Sequence, residues 1–367
     1  MMHILAARPT AMRTIDGSHG EGGGQILRTG LALSLILGTP LTITRIRAGR
    51  KKPGLRPQHL ACVRAAAEIS RADVEGAEIG SQTVTIEPGP PRAGSYEFDV
   101  AEEQGSAGSV ALVLQTVLPV LVLAEDPSEL VLRGGTHVPM SPPVHYITSV
   151  LCPVLSRLGP AVEVELERCG YYPRGGGEIV VHVTPSRGLA PLELSERGTV
   201  ERIIGLSGVT RLPRSIAERQ RTRARERLQR WGIPLEIDAE TLDGPWPGTF
   251  LHLVAECGRG MAGANALGRP GKRAEEVADE ASGSLEEFLD SGGAVDPHLA
   301  DQLVVFLSLA EGRSRVRTSR ITRHLLTNLW ICRELLGVEY DVQGEEGTEG
   351  VVTLEGVGMA PRAEGRG

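Results

Sequence analysis

From residue 41 onward the chain switches between two hydrophobic periods. LTITRIRAG (41–49) alternates apolar and polar positions, as a half-buried strand does. RPQHLACVRAAAEIS (56–70) instead sets Leu60, Val63 and Ala67 on one helical stripe. SQTVTIEPG (81–89) reads as a strand ending in a turn. GSAGSVALVLQTVLPVLVLA (105–124) reads as an apolar helix entered through glycine, and ELVLRGGT (129–136) as a strand with a glycine stop. SPPVHYITSVLCPVLSRLG (141–159) predicts a helix whose prolines fall at its start, where a missing N–H is tolerated. AVEVELERCGYYPRGGGEIVVHVTP (161–185) predicts a hairpin around a Pro/Gly-rich connection.

This alternation implies an α/β fold in layers with internal repetition. The glycine turns at 20–24 and 175–177 hint at the repeated units. The pattern breaks near residue 186, where PSRGLAPLELSERG reads as an exit linker. Beyond it lie an arginine-dense helix, RSIAERQRTRARERLQRW (214–231), a Trp/Pro/Gly loop and a charged helix near 273–290. The earlier style resumes with HLADQLVVFLSLA (298–310), a strand near 314–318 and HLLTNLWICRELLG (324–337). The expected organisation is a large repeated-unit domain over 14–189 and 286–355, interrupted by a small α/β domain at 190–285. Residues 1–13 are expected to be a flexible extension and 356–367 a disordered tail.

Composition narrows the function less than the pattern does. Net charge is −7, which argues against bulk polyanion binding but allows a local basic patch. Lysine occurs only at 51, 52 and 272, so the basic character is almost all arginine, suited to bidentate phosphate contacts. Five scattered cysteines without a C-x-x-C pair lead us to expect a reducing, cytoplasmic compartment with neither disulfides nor a zinc site. The apolar run at 110–124 is short and broken by Gln115 and Pro119, so it reads as a buried helix and not a membrane span.

Five stretches can carry chemistry. GEGGGQILR (20–28) bends like a phosphate loop but lacks the Gly-Lys-Ser/Thr ending of a P-loop. Its Glu21 suits Mg²⁺, which takes few protein carboxylates beside substrate phosphates. RIRAGRKKPGLRPQH (45–59) concentrates Arg45, Arg47, Arg50, Lys51, Lys52 and Arg56, with Gln58 and His59 able to bond hydroxyls or bases. No aromatic residue interleaves there, so base stacking must come from elsewhere or from arginine. Gln115, an amide in an apolar run, bonds either neighbouring backbone or the edge of a ligand base. Asp301 and Gln302 lead into a wholly apolar helix, as cap or as ligand. At RVRTSRITRH (315–324), Arg320, Arg323 and His324 crowd a helix start where an anion is favoured. A neutral His324 imidazole there can attack phosphorus. His59, His145, His182 and His252 read as structural, while His19 and His137 sit in turns that can approach a ligand.

Taken together, DGSHGEGGGQILR, IRAGRKKPGLRPQH, GSAG (105–108), LVLQTVLP, YYPRGGGE, LADQL and HLLTN stand in the order found in the RNA 3′-terminal phosphate cyclase family. The resemblance spans roughly residues 14–355. It implies three βαβαββ-type units with a small inserted α/β domain, and an ATP-dependent enzyme that turns an RNA 3′-phosphate end into a 2′,3′-cyclic phosphodiester. By the family's mechanism His324 attacks the α-phosphate of ATP and releases pyrophosphate. AMP passes to the RNA 3′-phosphate, and the adjacent 2′-OH closes the ring and expels AMP.

Matching motifs carry ATP binding to Gln115 and to His298, Leu299, Ala300, Asp301 and Gln302. They carry the metal, Mg²⁺ or Mn²⁺, to Glu21, and the phosphate and RNA-end contacts to Arg28, Arg47, Arg50 and Gln58. The expected partners are ATP and an RNA with a 3′-phosphate end, with no membrane; oligomeric state is open. Two readings compete. One is a noncatalytic branch of the same family, an RNA-binding ribosome-assembly factor lacking the adenylylated histidine. The other is a fold relative such as an enolpyruvyl transferase, which needs no histidine nucleophile. The presence of His324 favours the enzyme. The resemblance implies no role for the helix at 214–231.

Overall fold

The computed structural model describes residues 11–100 and 107–360. Most of the expected N-terminal extension (1–13) and residues 361–367 of the expected tail lie outside the described residues, as do Gly105 and Ser106 of GSAG.

The chain makes the same pass three times. The first runs β1 (Arg13–Asp16), α1 (Gln25–Leu37), β2 (Leu41–Thr44), α2 (Pro57–Ser70), β3 (Asp73–Glu75) and β4 (Val84–Glu87). Its sheet order is β1-β2-β4-β3, parallel for the first pair and antiparallel for the rest. The second has β5 (Ser95–Asp99), α3 (Val110–Leu121) and β6 (Ser128–Gly134). It continues with α4 (Val144–Tyr146), a π-helical turn over Ile147–Leu151, α5 (Cys152–Ser156), β7 (Ala161–Arg168) and β8 (Gly177–Thr184). Its order, β5-β6-β8-β7, repeats the first.

The third pass begins at β9 (Glu193–Leu194) and is then interrupted. The interruption forms a fourth sheet from β10 (Val200–Thr210), β11 (Leu235–Thr241), β12 (Gly248–Cys257) and β13 (Met261–Leu267), backed by α6 (Arg214–Leu228) and α7 (Ala274–Asp290). The third pass then resumes with α8 (Pro297–Leu309), β14 (Glu311–Thr318), α9 (Arg323–Leu336), β15 (Glu339–Gln343) and β16 (Gly350–Val357). Its order, β9-β14-β16-β15, is again the same.

The three βαβαββ passes share one apolar core, which runs from Ile15 through Leu118 and Val181 to Leu329 and Leu354. The fourth sheet buries a separate cluster, including Ile203, Leu228, Leu251, Val277, Leu285 and Phe288. Helix ends follow local chemistry. Asp296 caps α8 ahead of Pro297, Thr322 caps α9, and Gly38 and Gly337 close α1 and α9 in the left-handed region.

Several sequence expectations change. The strand expected over 41–49 stops at Thr44, because Arg45 and Arg47 take left-handed φ of 50° and 55° and curl the chain into a turn. The stretch read as a linker contains β9 and buries Leu189, Leu192 and Leu194. The two glycine turns are not equivalent: 20–24 joins β1 to α1, whereas 175–177 lies in the β7–β8 hairpin connection. Beyond Val357, Gly358 and Met359 still donate to the carbonyls of Ala310 and Leu309.

The arginine-dense helix also finds its explanation. Arg219, Arg223 and Arg227 of α6 pair with Glu275, Asp279 and Glu286 of α7 at 2.8, 2.8 and 2.6 Å. The charge run is an interhelical ladder, and solvent screens its exposed rungs.

One glycine joins the first pass to the third. Gly20 holds φ +62°, and a Cβ there would overlap Thr327 Oγ1 on α9. Gly20→Ala therefore lowers stability by about 1–3 kcal/mol, measured by urea unfolding, through strain and separation of the glycine turn from α9.

Candidate active site

A cavity of about 860 Å³ opens among α1, α3, β13 and the first turns of α8 and α9. Arg28, Gln115, His298, Asp301, Gln302 and His324 all line it, drawn from segments up to three hundred residues apart.

The glycine turn and the α9 helix build one wall. Glu21 N–H donates to Thr327 Oγ1 at 3.2 Å. Gln25 Nε2–H and Thr29 Oγ1–H both donate to Asn328 Oδ1 at 2.9 Å, and Asn328 Nδ2–H donates to the Asp301 carbonyl at 2.8 Å. GEGGGQILR, HLLTN and LADQL are thus stitched together by side-chain amides and hydroxyls. Gly23 and Gly24 are needed for space. A Cβ at Gly23 would sit 2.5 Å from Glu21 Oε1 and 2.7 Å from Arg50 Nη2. At Gly24 it would sit 2.5 Å from His59 Nε2 and 2.9 Å from Arg28 Nη1.

Arg28 is an unusual cation. It is only 8% exposed. Nη2–H donates to Gln25 Oε1 at 2.6 Å, but its buried Nε–H has no partner among the described residues. Burial lowers its pKa, opposed by Cys62 and Glu21. A buried guanidinium with an unmet donor beside a cavity is a strong demand for an anion. Glu21 does not meet it, since Arg50 Nη2–H donates to Glu21 Oε2 at 2.5 Å and Gln25 N–H to Oε1 at 3.2 Å.

His59 completes this corner. It is 4% exposed, and its pKa falls to about 3, first through burial and then through Arg28, Arg47, Arg56 and Arg50. Its Nδ1 accepts from Arg56 N–H at 3.3 Å, so the neutral ring carries its proton on Nε2, the atom beside Gly24 and Arg28.

The opposite wall is the paired helix starts. Asp296 accepts from His298 N–H and Leu299 N–H, and also from Tyr146 Oη–H and Gly263 N–H at 2.9 Å, tying the second pass and the fourth sheet to α8. Asp301 is buried, and its carboxyl is pushed up to about 8, chiefly by burial, while Thr322 Oγ1–H donates to it at 2.5 Å. Gln115 Nε2–H donates to Gln302 Oε1 at 3.0 Å, which links α3 to α8 across the cavity. His324 is half-buried, and its pKa is lowered chiefly by burial. Arg28, Arg50 and His298 add to that shift and Glu21 opposes it.

Not every sequence candidate faces the cavity. Leu299 and Ala300 are buried in the core, leaving only their backbone for a ligand. Gln115 is half-buried, and its partner is a side-chain amide instead of backbone. Arg47 spends its Nη1 on the Lys52 and Gly54 carbonyls, at 2.7 and 2.9 Å, and shapes its own loop. Gln58 stands half-buried in the first turn of α2. Arg320 and Arg323 reach Glu287 and Glu346, so part of the charge at the α9 start is already compensated. His19 stacks on Trp330 with centroids 3.9 Å apart, and His137 is buried.

The sequence reading missed Asp296, Asn328 and the neutral state of His59. The aspartate before Pro297 was a readable cap signal; the other two depend on contacts between distant segments.

Three βαβαββ passes around an arginine-walled, histidine-edged cavity define an α/β protein suited to phosphorylated ligands. A family profile for RNA 3′-terminal phosphate cyclase matches residues 19–342. The RNA 3′-terminal phosphate cyclase of Pyrobaculum neutrophilum is 44% identical over 346 residues, covering 94% of this chain and 98% of its own. That of Methylococcus capsulatus is 47% identical over 346 residues, covering 93% and 96%. The chain belongs to the RNA 3′-terminal phosphate cyclase family. The enolpyruvyl transferase NikO from Streptomyces tendae aligns over 97% of this chain and 51% of its own, with 11% identity and a TM-score of 0.38. No helix among the described residues is long and apolar enough to cross a membrane.

Proposed function

We propose that this chain is an active, ATP-dependent cyclase that converts an RNA 3′-phosphate end to a 2′,3′-cyclic phosphodiester. The observation that carries this reading is His324, a histidine held neutral at the edge of the same cavity as Arg28, Gln115 and Gln302. Its ring nitrogen attacks the α-phosphorus of ATP, an N–P bond forms, and pyrophosphate leaves with the electron pair of the broken P–O bond. AMP then passes to a terminal phosphate oxygen of the RNA. The tethered 2′-OH attacks that phosphorus, loses its proton and expels AMP; tethering supplies the proximity. The 2′-OH requirement restricts the reaction to RNA ends.

In this reading Gln115 and the 298–302 turn hold the adenosine part, with Leu299 and Ala300 serving through backbone. Arg28 and Arg50 meet phosphate charge, with Arg47 and Gln58 shaping the RNA-end side. His59 Nε2–H is a neutral donor beside Arg28. The three βαβαββ passes act as the catalytic body, and the fourth sheet with α6 and α7 as the inserted domain, in a reducing, cytoplasmic setting.

No cluster of three or more metal-ligating side chains forms among the described residues. Glu21 alone fits a site shared with substrate phosphates, once Arg50 turns to the phosphate. A divalent ion there, Mg²⁺ or Mn²⁺, would neutralise phosphate charge.

The test is an RNA oligomer with a 3′-phosphate, incubated with ATP and divalent metal. Its end becomes resistant to phosphatase, and a 2′-deoxy end gives no product. Tight RNA binding with neither cyclic product nor enzyme adduct would instead favour the assembly-factor reading. A pH profile adds a second check. Because the neutral imidazole reacts and its pKa lies below 6.5, the adduct forms at a constant rate above about pH 7. Below the lowered pKa the rate falls about tenfold per pH unit. A rate still rising between pH 7 and 9 would point to another nucleophile.

A further inference from the structure

No Phe, Trp or Tyr interleaves the basic stretch at 45–59, and the chain is poor in aromatics, with three tryptophans, five tyrosines and four phenylalanines. Two of these come from adjoining loops, an exposed Tyr172 and a half-buried Trp246. Tyr172 is 71% exposed, in the turn between β7 and β8. Two residues on, the Arg174 guanidinium lies 4.2 Å over the Trp246 ring, which comes from the β11–β12 loop.

The two loops are built into each other. Arg174 and Gly175 N–H donate to the Tyr171 carbonyl at 3.1 and 2.8 Å. Tyr171 is buried against Cys169 and Phe250. A Cβ at Gly176 would meet Pro245 Cγ at 2.7 Å and Trp246 Nε1 at 3.1 Å. The two loops therefore pack closely against each other. Arg211 lies alongside, its Nε–H donating to the Gly244 carbonyl at 2.8 Å, while Asp243 accepts from Gly244 N–H. Unlike the arginines of α6, neither Arg174 nor Arg211 meets a carboxylate among the described residues.

This surface adjoins the cavity mouth on both flanks. Tyr171 bridges His137, and the next residues, Val138 to Met140, line the cavity, with Met140 86% exposed. On the other side Gly268 N–H donates to the Thr249 carbonyl at 2.8 Å, and Gly268 and Arg269 line the cavity.

We propose that Tyr172, Arg174 and Trp246 form a stacking platform for the unpaired nucleotides just upstream of the RNA 3′ end. The proposal rests on the RNA-end reading above. Flat rings and guanidinium groups that meet no carboxylate among the described residues suit bases and phosphates of any sequence. The end nucleotide enters the cavity, and the strand leaving it crosses the platform.

The test compares Tyr172→Ala and Trp246→Ala with Tyr172→Phe, which keeps the ring. Each alanine variant is expected to weaken binding of a 3′-phosphorylated RNA of about ten nucleotides by about fivefold to a hundredfold, the range for loss of one base–aromatic stack. Anisotropy reads the affinity, and Tyr172→Phe stays at the wild-type value. Adduct formation with ATP alone, and KM for a 3′-phosphorylated dinucleotide, stay unchanged, since neither reaches the platform. Unchanged affinity for the longer RNA overturns the proposal and leaves the patch to a protein partner. An equal loss on both RNA lengths overturns it too, because the effect would then lie in the cavity. A wild-type protein that binds the longer RNA but forms no cyclic product sinks the cyclase reading alone; the anisotropy comparison still decides the platform.

Discussion

Replacing His324 with alanine is expected to abolish the covalent adduct that the proposed mechanism requires of the wild-type protein with α-labelled ATP and a divalent metal. The adduct should be labile to acid and stable to alkali, as a phosphoramidate is. The loss should be about a thousandfold or more, since removing a nucleophile leaves only binding and charge stabilisation behind. His298 is the internal control. It is exposed on the first turn of α8 and faces the same cavity. His298→Ala should keep the adduct and weaken only ATP affinity. An adduct that persists in His324→Ala and disappears in His298→Ala would reverse the assignment.

Arg28→Met is expected to separate stability from activity. In the free protein the Arg28 guanidinium is buried with an unmet Nε–H, and burial disfavours its charge. Methionine fills similar space without a charge, so the free protein should be at least as stable, by up to about 1–3 kcal/mol. That corresponds to a rise in melting temperature of a few degrees for a chain of this size. Cyclisation should nonetheless fall by about a hundredfold or more, because in the proposed function that charge meets a phosphate. A site that costs stability when empty is common where function needs preorganised charge. A variant that loses both stability and activity would mean that Arg28 supports the fold instead.

The elements legible in the sequence were those decided locally. The helices beginning at Pro57 and Arg323 announce themselves through period, proline and cap. The β7–β8 hairpin follows from alternation and its turn. What was illegible depends on distant neighbours. Nothing near Arg45 and Arg47 signals left-handed backbone, and β9 is a two-residue strand that exists only because β14 lies beside it. The arginines of α6 have no readable role until Glu275, Asp279 and Glu286 arrive from about fifty-five to sixty residues later. The candidate site was readable as a set of ordered motifs. Its electrostatics were not, since the buried states of Arg28, His59 and Asp301 belong to the assembled walls.

The recurrence of one sheet order has a consequence for how such a protein can change over time. Each pass offers the same corner, between its first strand and its first helix. In the first pass that corner is the tight glycine turn at 20–24; in the third it has swollen to hold the whole fourth sheet and its helices. A scaffold duplicated in this way has spare copies of a single corner. One copy can be held to strict geometry while another accepts an insertion of a hundred residues, which meets the shared core only through a few residues such as Val254 and Met261. Novelty in this architecture is therefore expected to accumulate at equivalent corners, with the sheets themselves left nearly constant.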